Sequence, residues 1–151
     1  MSNLLGQEGQ GFGQMSAQLV QERLIIGAQA SGATRRAVED TVDYTKPRQA
    51  FEHSLFEFQN TAFELAECQR TCEVFLDRCI TEHLAGQLDP AMVKYWPTEQ
   101  QCAVIDRCVQ LHGGYGYLRE YLIARMYEHS RVQKIYAGAN EVIESIIAKS
   151  L

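Results

Sequence analysis

Helical periodicity runs through this chain almost without interruption, and it constrains the fold more than any other feature. Residues 14–44 contain no proline, and apolar residues recur there every three or four positions, as they do on one face of a helix. Similar spacing predicts a second long helix over 54–85 and a third over 90–111. No segment alternates convincingly between apolar and polar residues, so we predict no strand.

Prolines mark the ends of the predicted helices. Pro47 ends the first one, because proline lacks an N–H group and restricts the residue before it. Pro90 is suited to the first position of the third helix, with Asp89 as its N-cap. Pro97 lies inside that helix and predicts a kink there.

Two shorter helices are expected over 120–128 and 140–149, after a glycine-rich turn. The predicted fold class is therefore all-α, an up-down helical bundle of four main helices. Helices as long as the first two exceed what one small core covers. We therefore expect some faces to pack against another domain or another copy of the chain, as in a homo-oligomer.

Composition narrows the possible partners. The 151 residues carry a net charge of −5 without a Lys/Arg cluster, which argues against nucleic acid and against an anionic membrane surface. No apolar run is long enough to cross a bilayer, and residues 1–10 do not resemble a signal peptide, so we expect a cytoplasmic location. The five cysteines form no C-x-x-C pair, and we expect buried, reduced thiols and no metal site.

Several separate motifs resemble one known family. The turn His112-Gly113-Gly114-Tyr115-Gly116 does not follow a strand, so by itself it indicates only a helix that ends in glycines. Followed in order by Arg119-Glu120-Tyr121, Arg131-Val132-Gln133 and Ile135-Tyr136, it is similar to the C-terminal signature of acyl-CoA dehydrogenases.

Upstream motifs extend the resemblance over essentially the whole chain. Gly11-Phe12 resembles part of the segment that leaves the family's β-domain, and Arg48-Gln49-Ala50-Phe51 resembles its flavin-contacting turn. The resemblance implies a segment over residues 1–13 that comes from a β-domain missing here, followed by a C-terminal α-helical bundle domain over residues 14–151.

The resemblance also implies a catalytic base. Most family members carry the catalytic glutamate after the Ile-Tyr pair, where this chain has Ala137. Long-chain and isovaleryl-type members place it on the first long helix, where this chain has Glu22. Glu22 would then abstract the α-proton of a fatty acyl-CoA thioester while a β-hydride passes to FAD. Considered alone, a glutamate on a long helix is usually a solvent-exposed surface residue.

Binding roles follow from the same resemblance, residue by residue. The positions that match the acyl-CoA channel and the substrate lining are Val20, Gln21, Arg23, Ala137 and Gly138. The positions that match flavin contacts, some of them made across a subunit interface, are Arg48, Gln59, Gln110, Leu111, His112, Gly113, Gly114, Ala139, Asn140 and Glu141. Without the resemblance, Arg48 would be interpreted as a surface arginine, Val20 as a core residue and Asn140 as the N-cap of the last helix.

Four positions depart from the family pattern. Glu52 replaces a glycine, Leu122 a proline, Ala139 a threonine and His129 an aspartate. At these positions we expect flavin binding or loop geometry to differ from the family's.

The implied partners are FAD, an acyl-CoA substrate, an electron-transfer flavoprotein that accepts the electrons, and further copies of the chain in a dimer or tetramer. The family's active site also needs an N-terminal helical domain and a middle β-domain, so we expect this chain alone to be inactive. Two alternatives remain: a non-catalytic assembly module with the same fold, and an acyl-CoA oxidase.

Overall fold

The computed structural model describes residues 4–86 and 89–151. Three long helices, α1 (Gly11–Thr45), α2 (Gln59–Leu84) and α3 (Pro90–His112), are followed by the shorter α4 (Leu122–Gln133) and α5 (Asn140–Ala148). Short 3₁₀ helices lie at Leu55–Glu57 and Gly113–Tyr117. The predicted all-α helical bundle is confirmed.

The central contact of the bundle joins α1 to α3. Gly27 of α1 is buried against Val93 of α3, and a Cβ atom on this glycine would overlap the Val93 carbonyl oxygen. Ala30 and Ala37 continue the same face with no exposed surface. Small residues therefore let the two helix backbones approach closely along this contact.

An apolar cluster of described residues forms the core between α1, α2, α3 and α4. Its buried members are Ala37, Val38, Cys68, Cys72, Val104, Ile105, Cys108 and Ile123. The first turns of α1 lie outside this cluster, and their apolar side chains, including Phe12 and Met15, are exposed.

The prediction of buried thiols is confirmed for three of the four cysteines whose side chains the structure describes. Cys68, Cys72 and Cys108 are buried free thiols, and Cys102 is half-buried and also free. The side chain of Cys79 lies outside the described part of the chain. Within residues 4–86 and 89–151, no helix combines the length and the apolar character that a membrane span needs.

The prediction that the chain has no strand is wrong at one point. Gln49–Ala50 and His53–Ser54 pair as two antiparallel two-residue strands, β1 and β2. Phe51 and Glu52 form the turn between them, with φ angles of 52° and 67°, as in a type I′ hairpin. Strands this short contain no alternating pattern, so periodicity could not reveal them.

Helix boundaries agree with the predictions to within five residues, and α4 ends at Gln133, five residues later than predicted. The amide of Ala91 donates to the Asp89 carboxylate at 2.8 Å, which confirms Asp89 as the N-cap of α3. Helix α1 begins at Gly11, inside the segment predicted to precede it. Helix α2 begins at Gln59, later than predicted, because the amide of Ser54 donates to Glu57 and closes a separate 3₁₀ turn.

Candidate functional site

A concave pocket lies where α3 ends. It has a volume of about 450 Å³ and we call it the glycine-turn pocket. Its lining residues are Tyr44, Arg48, Ala50, Leu55, Gln110, Leu111, His112, Gly113, Gly114, Tyr115 and Leu118. Helix α3 ends in this pocket because Gly113 adopts a φ of 59°, a backbone conformation that favours glycine.

The end of α1 holds this turn in place. The Tyr44 ring stacks on the His112 ring with centroids 4.1 Å apart, and the Tyr44 hydroxyl donates to the His112 carbonyl at 3.3 Å. Nδ1 of His112 lies 2.8 Å from the Cys108 carbonyl oxygen, which can only accept, so Nδ1 carries the proton. Burial lowers the pKa of His112, so we expect a neutral ring near pH 7.

The charge at this pocket comes from Arg48. Arg48 is exposed, and its guanidinium carbon lies 5.1 Å from the centroid of the Tyr115 ring. Among the described lining residues it is the one side chain with a permanent charge. A guanidinium beside open glycine backbone is suited to an anionic group such as a phosphate.

Most of the residues predicted to contact flavin in the central part of the chain meet in this pocket. Arg48, Gln110, Leu111, His112, Gly113 and Gly114 all line it. Gln59 does not line it; it is the exposed first residue of α2.

A second turn lies between α4 and α5. Ala137 and Gly138 both have positive φ angles, 54° and 99°, and we call this segment the Gly138 turn. Nε of Arg23, on α1, donates to the Ala137 carbonyl at 3.4 Å. A Cβ atom built on Gly138 would lie 3.6 Å from Nη2 of Arg23. Helix α1 therefore passes directly beside the turn.

Lys94 of α3 holds the Gly138 turn in place, and its side chain is fully buried. Nζ donates to the Gly138 carbonyl at 2.9 Å and to Oδ1 of Asn140 at 2.6 Å. Burial, reinforced by the charge of Arg23, lowers the pKa of Lys94 to about 8. The Asn140 amide nitrogen in turn donates to Thr98 and Glu99 of α3. This hydrogen-bond network fixes the start of α5 to α3.

The residues after this turn, which were predicted to contact flavin, form the start of α5. Ala139 is the N-cap of α5, Asn140 is the first helical residue, and Glu141 is exposed in the first turn. The interpretation of Asn140 as the N-cap is therefore wrong by one residue. Its buried amide is used by internal partners.

The predicted substrate residues on α1 differ in burial. Glu22 and Gln21 are exposed, and Arg23 is half-buried against the Gly138 turn. Val20 is 51% exposed, so its interpretation as a core residue is wrong. Glu22 immediately precedes Arg23, which places the backbone of the predicted base beside the turn that contains Ala137.

The two turns lie at opposite ends of α3. From Lys94, beside the Gly138 turn, to His112, in the glycine-turn pocket, the helix rises about 27 Å. The family resemblance implies contacts with one cofactor in both regions, and the fold separates these regions by the length of this helix.

Sequence reasoning gave no site role to Lys94 or Tyr115. A signal for Lys94 was present, because it falls in register with Ala91, Thr98 and Gln101 on the buried stripe of α3. A lysine in register with buried neighbours predicts a partnered internal charge. Tyr115 gave no comparable signal, because its contact with Arg48 joins two distant loops.

Comparison with known proteins places the chain among the helical domains of a class of oxidoreductases. The family model described as "Acyl-CoA dehydrogenase, C-terminal domain" matches residues 9–151. The chain therefore belongs to the acyl-CoA dehydrogenase family.

Individual relatives agree with this assignment. The chain is 41% identical to the mitochondrial long-chain specific acyl-CoA dehydrogenase of Sus scrofa, over 99% of this chain and 36% of that protein. The crystal structure of acyl-CoA dehydrogenase from Geobacillus kaustophilus is 43% identical, with a TM-score of 0.88 over 98% of this chain and 40% of that one. The predicted resemblance to long-chain members is confirmed.

One solved relative was determined with a cofactor. The acyl-CoA dehydrogenase of Bacillus anthracis, complexed with FAD, is 29% identical, with a TM-score of 0.80 over 98% of this chain and 30% of that one. In each of these three comparisons the chain spans well under half of the relative's length.

Proposed function

We propose that this chain is the helical domain with which an acyl-CoA dehydrogenase binds FAD and its acyl-CoA substrate, and that Glu22 is the catalytic base. Glu22 would remove the α-proton of a fatty acyl-CoA thioester, and FAD, when bound, supplies the acceptor for the β-hydride. The observation that carries the proposal is the contact between Arg23 and the Gly138 turn. It brings α1 at Glu22 beside Ala137, the position where the family resemblance implies a glutamate in most members.

The side chains around the Gly138 turn support separate roles for the base and for the residues that hold the turn. Ala137 has no ionisable group and cannot accept the proton, whereas Glu22 can. Arg23 and Lys94 occupy the carbonyl oxygens of Ala137 and Gly138, which fixes the backbone on which the substrate would rest. Because Glu22 is exposed in this chain, the exclusion of water around the base would have to come from the bound substrate or from another domain.

The glycine-turn pocket fits the diphosphate part of FAD. Arg48 supplies a permanent positive charge at its edge. A Cβ atom added to Gly113 or Gly114 would meet nothing within 4 Å, so this backbone is open to a ligand. Arg48 and the turn would hold the phosphates, and the glycines would permit close approach.

The two turns lie about 27 Å apart along α3, and this distance supports a cofactor site that is shared between two subunits. A flavin ring beside Glu22 belongs at the Gly138 end of the bundle, whereas the arginine pocket lies at the opposite end. We propose that each chain offers its glycine-turn pocket to the FAD of a partner subunit, in a homodimer or homotetramer. Exposed apolar side chains such as Phe12 and Phe63 support such assembly.

The decisive experiment is Glu22→Gln in an enzyme that carries this domain together with a flavin-ring-binding domain. Anaerobic bleaching of the flavin by palmitoyl-CoA should slow by about 10²- to 10⁴-fold, because the amide cannot take the proton. Glu39→Gln, at another exposed glutamate of α1, is the matched control and should bleach at the wild-type rate. Undiminished bleaching in the Glu22 variant would exclude this residue as the base.

The same experiment addresses the alternatives. Ala137, at the usual glutamate position, favours the alternative of a non-catalytic assembly module. That alternative predicts that the wild-type flavin is not bleached. An acyl-CoA oxidase would bleach and then reoxidise rapidly in air, whereas a dehydrogenase would need electron-transfer flavoprotein. We further propose that the chain by itself shows no turnover, and that the enzyme is cytoplasmic.

A further inference from the structure

We propose that Tyr115 is a positioning residue for Arg48, and that its ring holds the guanidinium at the edge of the glycine-turn pocket, where the guanidinium meets a diphosphate. This inference rests on the proposed function, because it takes a diphosphate-bearing cofactor as the ligand of the pocket.

The contact itself has the geometry of a cation–π interaction. The guanidinium carbon of Arg48 lies 5.1 Å from the Tyr115 centroid, within the range of about 6 Å over which such pairs attract. Both residues line the same pocket. Among the described residues Arg48 forms no ion pair, so its charge is available to a ligand. The Tyr115 ring is the side chain that holds the guanidinium in place.

The Tyr115 ring is itself held by other rings. It lies 5.2 Å from the Tyr121 ring, which meets the His112 ring at 6.4 Å and the Tyr44 ring at 6.2 Å, both edge-on. This aromatic series joins the end of α1, the end of α3 and the loop before α4. A guanidinium resting on its outermost ring is therefore attached to the body of the bundle.

An arginine in a loop would otherwise lose much rotamer freedom when a ligand bound. Arg48 lies between α1 and β1 and is exposed. A ring that restrains the free side chain lowers the entropic cost of binding, which is the general benefit of preorganisation. Replacing the ring by an aliphatic side chain should weaken binding of a diphosphate while leaving binding of an uncharged nucleoside unchanged.

The test is an NMR titration of this chain with ADP and, separately, with adenosine. We expect the ADP dissociation constant to rise about two- to fivefold in Tyr115→Leu, the range that an exposed cation–π contact supports, and to stay unchanged in Tyr115→Phe. The Arg48 Nε–H resonance should lose its ring-current shift in the leucine variant only. Adenosine should bind all three proteins alike.

Each other outcome is informative. If Arg48→Ala weakens ADP binding and Tyr115→Leu does not, the role of Tyr115 is overturned while the proposed cofactor pocket stands. If Tyr115→Leu weakens adenosine and ADP equally, the ring stacks on the base and does not position the arginine. If millimolar ADP shifts no resonance of the wild-type pocket, the proposed pocket fails and the inference fails with it.

Discussion

The Nζ atom of Lys94 lies 2.6 Å from Oδ1 of Asn140, and the lysine side chain has no exposed surface. Its second partner is the carbonyl of Gly138, so one buried ammonium joins α3 to both the turn and the start of α5. A buried charge is tolerated when hydrogen bonds replace its water, but the desolvation cost still favours the neutral form. This is why the pKa of Lys94 falls to about 8.

The lowered pKa of Lys94 makes stability depend on pH in a defined direction. Its pKa is about 8 in the folded chain and returns to the ordinary lysine value of 10.5 on unfolding, so between these values the unfolded chain binds more protons. The free energy of unfolding should therefore rise between pH 8 and 10.5, by up to about 3 kcal/mol from this residue. Urea unfolding at several pH values measures this change.

Lys94→Met supplies the control for that measurement. Cysteines and tyrosines also ionise in this range, but they are present in both proteins, so their contribution largely cancels in the difference. The free energy of unfolding of the wild type minus that of the variant should rise between pH 8 and 10.5. Parallel pH profiles for the two proteins would mean that Lys94 titrates normally.

The limits of the sequence prediction have physical causes. Helices appear in sequence because their periodicity repeats over many turns, and the Asp89 cap was predicted because capping depends on neighbours in the chain. The β1–β2 hairpin was missed because each strand has two residues. The separation of Arg48 from Gly138 was also missed, because motifs in the right order say nothing about distance in the fold.

The hairpin offers a stabilising substitution at Glu52. This residue has a φ of 67°, which is unfavourable for a side chain with a Cβ atom, and it stands where the family resemblance implies a glycine. Glu52→Gly should raise the free energy of unfolding by about 0.5–1 kcal/mol, after the greater backbone freedom of glycine in the unfolded chain is counted. Glu52→Ala removes the same charge but keeps the Cβ atom, and should give no such gain.

Leu122 is a second departure from the family pattern, and we expect proline at this position to stabilise the fold. It is the first residue of α4, and Tyr121 before it is extended, with a ψ of 136°. Proline suits this position because its φ is already helical and its missing N–H is not needed in the first turn. Leu122→Pro should raise the melting temperature, equivalent to about 0.4–1 kcal/mol. Leu122→Ala, which removes the side chain without fixing φ, should not.

Two glycines on α1 should respond to alanine in opposite directions. Gly27 is buried, and a Cβ atom there would overlap the backbone carbonyl of Val93, which cannot move without shifting α3. Gly27→Ala should therefore destabilise the chain by about 1–3 kcal/mol. Gly32 lies five residues further on, is exposed, and has nothing within 4 Å of an added Cβ atom.

Gly32→Ala should stabilise the chain by about 0.5–1 kcal/mol, since alanine restricts the unfolded chain and favours the helix. The pair separates helix propensity from packing, because both substitutions add one methyl group to the same helix. Urea denaturation of the two variants measures both effects. If Gly27→Ala were also stabilising, α1 and α3 would have to lie further apart than the Gly27–Val93 contact places them.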